Sequence, residues 1–238
     1  MTKGVPHPGG YLLTRESLVS GELQRALRSN PPPGVCLRSD EELDATMEEA
    51  LRGHEAGEDL HVFGYGSLMW NPALHLVDTR VATVPGWHRR FCIRMLMARG
   101  SVERPGAMLA LDRGGACRGL LLRIAAHQVE DELRLLWRRE MLAGSYDARW
   151  VTAQMAHRAH AGGEPLRALT FVVRRRHERY IGALPDEEIA RLIRTGQGSL
   201  GNARGYFEAT VQTLARLGIR DRGIERLHRL IRRADMHD

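Results

Sequence analysis

Of 238 residues, 35 are Lys or Arg and 29 are Asp or Glu, a formal charge of +6. Lys3 is the only lysine and the other 34 cations are arginines, which excludes a lysine-dependent phosphate loop, Schiff-base catalysis and pyridoxal-phosphate attachment. No apolar run approaches the roughly 18–20 residues of a membrane span, residues 1–10 have no apolar core of a signal peptide, and three cysteines without C-x-x-C spacing predict reduced thiols and a cytoplasmic location.

Charge divides the chain. Residues 1–58 carry 6 cations and 10 anions, and residues 59–238 carry 29 and 19. The shift predicts a helical N-terminal extension, 1–58, on a core domain, 59–238. In the extension, residues 14–29 can form a helix with Leu18, Leu23 and Leu27 on one side, ended by Pro31-Pro32-Pro33. Ser39 and Glu42 make a capping box for a second helix to about Gly53. Neither helix is apolar enough to stand alone, so both are expected to pack on the core or on another subunit. From residue 60 the pattern becomes β: a strand over 61–65 ending in a glycine-rich turn, strands over 77–84 and 87–97 around Pro85-Gly86, and strands over 107–111 and 119–124 around an expected hairpin turn at residues 112–115. Val129, Leu133, Leu136 and Trp137 have helical spacing through about Met141. Strands are expected over 150–156 and 169–173. Pro185 followed by three acids starts a helix over 186–195, and helices near 203–217 and 222–233 complete the chain. Strands first and helices last predict an α+β fold, a mainly antiparallel β-barrel or sheet with flanking helices.

Most familiar site patterns fail. His54-Glu55 starts H-E-x-x-H but Glu58 stands where the second histidine belongs, and His157 with His160 lacks a third ligand, so no metal site is expected. Residues 196–201 satisfy G-x-G-x-x-G yet follow a helix, which marks a helix-to-helix loop rather than a dinucleotide site. Met69 replaces the second glycine of a serine-hydrolase elbow around Ser67. The arginine-rich run 174–179 and the six arginines between 220 and 233 are candidate nucleic-acid surfaces; residues 218–238 net only +2, and no aromatics interleave to stack bases, so solvated faces are the reading preferred.

Two elements carry chemistry. Val62-Phe63-Gly64-Tyr65-Gly66-Ser67-Leu68 is a strand entering a turn whose glycines let backbone amides approach an anion or a carbonyl oxygen. Residues 136–146 bring Glu140 to a helix C-terminus beside a glycine-containing turn, where an anion is disfavoured unless it has a donor or a purpose. Glu140 paired with a neighbouring arginine on the surface is the plain alternative.

Together with Trp70, the run Gly86-Trp87-His88-Arg89-Arg90-Phe91, residues 99–106, Arg139-Glu140, Gly144, Tyr146, Tyr180-Ile181-Gly182, residues 196–202 and Tyr206, these elements resemble the ChaC-type gamma-glutamylcyclotransferase family over about residues 60–232. The resemblance implies the fold of that family and an enzyme that cleaves glutathione to 5-oxoproline and Cys-Gly. The gamma-glutamyl amine attacks its own side-chain carbonyl, so neither cofactor nor metal is implied. Glu140 becomes the general base and then acid, and Tyr65, Gly66, Ser67 and Leu68 the gamma-glutamyl-binding loop. Arg99 is the first choice for a substrate carboxylate, ahead of Arg90 and Arg104. Tyr146 is either a hydroxyl donor or a core tyrosine at a turn. Eukaryotic members carry Thr-Asp-His before the Arg-Gly pair, where this chain has Leu96-Met97-Ala98, and the helices before residue 60 lie outside the family's core pattern. The implied partner is a small molecule, with neither nucleic acid nor membrane; oligomeric state has no sequence signal. The other readings are a cyclotransferase for another gamma-glutamyl amine, or a non-catalytic ligand- or nucleic-acid-binding module.

Overall fold

The structure, a computed structural model, describes residues 13–29, 31–32, 35–155 and 164–237. Lys3, His157 and His160 lie outside them.

Five strands close into a barrel in the order β1-β3-β2-β4-β5. β1 (Leu60–Gly64) runs antiparallel to β3 (Gly106–Ile124), which pairs along almost its whole length with β2 (Asp78–Met95). β4 (Tyr146–Met155) joins β2 to β5 (Leu166–Val173), both antiparallel. One parallel pairing, Val62 with Leu169, closes the ring between β1 and β5. The inside is filled by large apolar side chains, Phe63, Phe91, Leu109, Leu121 and Phe171 among them, with Trp137 of α4 (Val129–Glu140) packed across Phe171. α5 (Asp186–Thr195), α6 (Ala203–Arg216) and α7 (Arg222–Asp235) pack together beside the β2–β3 ribbon.

The β2–β3 ribbon corrects two expectations. The strands expected at 77–84 and 87–97 are one strand, and residues 112–115 do not reverse the chain. Pro85 pairs with Ala116 and Trp87 with Arg113, so Gly86 alone faces Gly114-Gly115. All three glycines have positive φ, +81°, +105° and +70°. Glycine there absorbs an extra residue as a β-bulge, which bends the ribbon instead of ending it. Turn-forming residues are the same in both structures; only the partner strand tells them apart.

The N-terminal segment packs on the core. The helix expected over 14–29 is broken at Ser20-Gly21, where Gly21 has φ +68°, into α1 (Arg15–Val19) and α2 (Glu22–Ser29). Leu18 and Leu23 bury against Leu135 of α4. α3 (Asp40–Leu51) begins at the Ser39–Glu42 capping box and buries Leu43 and Met47 in the main core. Trp137 Nε1 donates to Thr46 Oγ1 and Trp150 Nε1 to the Ala50 carbonyl. Four buried apolar side chains at about 1.5–3 kcal/mol each outweigh the exposed Arg28–Asp40 pair, which is worth under about 1 kcal/mol. Among the described residues no helix is long and apolar enough to cross a membrane.

Candidate active site

α4 delivers Glu140. Its first turn carries Glu130, Asp131 and Glu132, its last turn Arg138 and Arg139, the arrangement that suits the helix dipole. Glu140 is the final helical residue. The carbonyls beyond it are taken by cations: Arg38 binds Met141 and Leu142 through its side chain and amide, and Arg179 Nη2 binds Ala143 at 2.6 Å. Gly144, at φ +69°, then turns the chain into β4, where Tyr146 begins the strand. The Glu140 side chain is 16% exposed and touches Arg139, whose Nε lies 2.8 Å from Oε1. Burial raises the Glu140 carboxyl above its ordinary range; Arg139 opposes the shift without cancelling it.

Arg139 also joins the glutamate to the glycine loop. Its Nη2 donates to Ser67 Oγ at 2.8 Å and its Nη1 to the carbonyls of Asn71 and Pro72. The loop leaves β1 at Gly64, and Ser67–Met69 forms one 3₁₀ turn. A Cβ on Gly66 would lie 2.9 Å from the Tyr206 hydroxyl, so any side chain there would displace that tyrosine or the loop. Tyr206, on α6, is buried beneath the loop against Trp70 and Phe91, with its hydroxyl against Gly66 and Ser67 of the loop. Burial, with Glu140 nearby, pushes that hydroxyl up to about 12, so it stays protonated. Arg99 lies over the same ring, its guanidinium carbon 5.6 Å from the centroid, and burial lowers its pKa.

The structure therefore gathers Tyr65, Gly66, Ser67, Leu68, Arg99, Glu140 and Tyr146 around Tyr206 and Arg139. Both other tyrosine hydroxyls are committed: Tyr65 donates to the Phe171 carbonyl at 2.8 Å and Tyr146 to the Leu109 carbonyl at 2.7 Å. Tyr146 thus combines a core role with a position beside Glu140, whose charge, after burial and Tyr206, raises its pKa. Arg90 and Arg104 are placed otherwise. Arg90 Nη1 is 3.5 Å from the buried carboxylate of Asp112, and Arg104 Nε donates to the Thr195 carbonyl.

Arg89, named in the run 86–91, had no role assigned from the sequence. Its side chain is fully buried; Nε donates to the Tyr65 carbonyl, Nη2 to the Arg118 carbonyl and Nη1 to Asp221 Oδ2, each at 2.6 Å. Asp221 Oδ1 meanwhile caps α7 by accepting from Gly223 and Ile224. Strand alternation was the available signal, since Arg89 shares the inward parity of Phe91 on β2. The arginine run 174–179 is not a free basic surface: Arg174 pairs with Asp147, Arg175 with Asp112, and Arg179 is buried.

A small barrel that sets a largely buried glutamate, Glu140, against a loop of backbone amides defines the class. The chain belongs to the ChaC-like family, residues 60–234 matching the family described as ChaC-like protein. It is 34% identical over 216 residues to the glutathione-specific gamma-glutamylcyclotransferase of Escherichia coli (strain K12), covering 91% of this chain and 90% of that protein. That span is longer than residues 59–238 and so reaches into the N-terminal segment. The human glutathione-specific gamma-glutamylcyclotransferase 1 is 36% identical over 150 residues, 62% of this chain and 66% of its own. The crystal structure of a gamma-glutamyl cyclotransferase specific to glutathione from yeast superposes with a TM-score of 0.68 at 18% identity, over 74% of this chain and 96% of that one, a likeness of fold.

Proposed function

We propose that this chain is a glutathione-specific gamma-glutamylcyclotransferase. The observation that carries the reading is the buried Glu140, held by Arg139 against the 65–68 loop. The alpha-amino group loses a proton to Glu140 and its nitrogen bonds to the gamma-carbonyl carbon. The oxyanion formed is met by amides of the 65–68 loop, one such donor being worth about 2.7–4 kcal/mol. As the carbonyl re-forms, the amide C–N bond breaks and Glu140 returns the proton to the leaving amine. The products are 5-oxoproline and Cys-Gly. A glutamate with a raised pKa suits both halves, because a carboxyl nearer neutrality is a better base and remains a competent acid. The sequence of events uses no enzyme nucleophile and draws on no metal or cofactor. Arg99, partly buried over Tyr206, supplies the positive charge for a substrate carboxylate.

Free Cys36, Cys92 and Cys117 suit the reducing cytoplasm in which glutathione is kept as a thiol. The test is incubation of the purified protein with glutathione and assay of both products. Neither product from a correctly folded protein overturns the reading, and turnover of other gamma-glutamyl amines in preference to glutathione would move it to the second reading, for which Leu96-Met97-Ala98 is the relevant departure.

A further inference from the structure

We infer that the N-terminal helices are a positioning strap for the substrate-binding loop, an inference that rests on reading residues 65–68 as that loop. Segment 71–75 continues directly from it and is held from two sides. From below, α4 contributes Arg139 to the carbonyls of Asn71 and Pro72, and Glu132, two turns earlier on the same helix, to the His75 amide at 3.1 Å and the His75 ring at 3.3 Å. From above, the strap contributes Leu13, whose carbonyl accepts from Asn71 Nδ2 at 2.8 Å, and Arg15.

Arg15 is the centre of the arrangement. Its two terminal nitrogens each lie 2.6 Å from a separate oxygen of Glu132, a carboxylate 1% exposed, and Nη1 also donates to the Ala73 carbonyl at 3.3 Å. Ala73 has φ +55°, and Ala98, at +62°, is the other non-glycine residue with positive φ among the described residues. Each such conformation costs about 1–2 kcal/mol and persists only where surroundings enforce it. Both are enforced by carbonyl contacts: Ala73 by Arg15, and Ala98 by the Leu200 amide at 2.7 Å. Ala98 precedes Arg99. The side chains close the circuit, for Ala73, Leu74 and Leu200 all pack on the cluster of Leu18, Leu23 and Leu135. One strap thus braces both walls of the site, the 65–75 segment and the loops that carry Arg99. Glu140 lies about two turns beyond Glu132 on the α4 that the strap also touches, and is fixed there by Arg139 and by the Arg38 and Arg179 contacts to the carbonyls that follow it rather than by Arg15.

Arg15→Ala in the full-length chain, with hydrogen exchange read by mass spectrometry, tests the brace. Amides in 66–74 and 198–200 should exchange about 10-fold faster or more, with β4 and β5 unchanged. In steady-state kinetics KM for glutathione should rise about 5- to 20-fold while kcat stays within about twofold, since binding geometry loosens while Glu140 keeps its own contact with Arg139. Arg15→Lys, which keeps the charge and loses the fork, should recover part of both changes, and it carries the test should Arg15→Ala fail to fold. Unchanged exchange at 66–74, or equal acceleration throughout the chain, overturns the strap; so does an unchanged KM. Should the wild type not turn over glutathione at all, the proposed activity falls and the exchange measurement still decides the brace.

Discussion

At Glu140 three effects compete. Burial and a helix C-terminus both disfavour the anion, and Arg139 at 2.8 Å favours it; the balance stays on the raised side. Two outcomes follow. Glu140→Gln should keep substrate affinity, measured by calorimetric titration, and lose about 10²–10⁴-fold in kcat, the span typical of acid–base catalysis; an active Gln variant sinks the mechanism. The acid limb of kcat/KM should fall at a pH above the ordinary carboxyl value of 4.5, because only the anion accepts the proton of the attacking alpha-amino group. Stability carries the same sign. A carboxyl whose folded pKa is raised costs nothing while protonated in both states and costs most once pH has passed the folded value. Glu140→Gln should therefore match the wild type in melting temperature below pH 4.5 and exceed it at neutral pH. Glu140 and the glycine loop were legible in the sequence, because an acid at a helix end and a Gly-x-Gly at a strand end each break a local rule. The roles of Arg89 and Arg139 were not: strand parity can put Arg89 on the buried face, but in a chain with 34 arginines nothing local names the partners of those that are buried.

At the scale of elements, the long β2–β3 ribbon and α7 meet at Asp221. Asparagine caps a helix as well as aspartate does, so Asp221→Asn spares the α7 cap and replaces the oxygen that accepts from Arg89 with an uncharged NH2 that cannot. Breaking a buried pair typically costs about 3–5 kcal/mol, against under about 1 for an exposed pair such as Arg191–Glu188. Urea denaturation should show a loss of about 3 kcal/mol for Asp221→Asn and almost none for Glu188→Gln; equal midpoints would refute the assignment. The loops behave similarly. Gly198 sits between α5 and α6, where Gln197–Gly198 and Gly201–Asn202 form a two-residue ladder. A Cβ on Gly198 would run into the carbonyl oxygens of Ala98 and Gly100, both backbone. Gly198→Ala should then displace the loop carrying Arg99, raising KM and lowering stability by about 1–3 kcal/mol. The G-x-G-x-x-G spacing there was read correctly as a helix-to-helix loop, but the reason for its glycines is contact with a segment about 100 residues earlier. No local pattern reports such a contact, just as none distinguished the bulge at Gly114-Gly115 from a hairpin.

Charge is the property of the whole molecule that most needed the fold. Residues 80–123 hold nine arginines against Glu103 and Asp112, which as sequence suggests a positive field beside the binding loop. In space four of the nine are answered. Arg80 and Arg123 pair with Asp78, Arg123 also with Asp59, Arg89 with Asp221 and Arg90 with Asp112. Three of these four carboxylates lie outside the segment, so counting along the chain could not have found them. Of the arginines with no carboxylate partner among the described residues, Arg99 is the one at the site: it meets the Asn202 carbonyl at 3.4 Å and lies over the Tyr206 ring. Attraction of an anionic tripeptide should accordingly be local. Raising ionic strength from about 0.05 to 0.5 M shortens the screening length from over 10 Å to about 4 Å, and KM for glutathione should rise a few-fold while kcat holds. In Arg99→Gln, KM at low salt should already be raised about 10-fold, the worth of one charge-assisted hydrogen bond, and its salt dependence should be nearly flat. A salt slope as steep in Arg99→Gln as in the wild type would assign the attraction to the unpaired surface arginines instead, and the excess of positive charge would then act as a field rather than through one side chain.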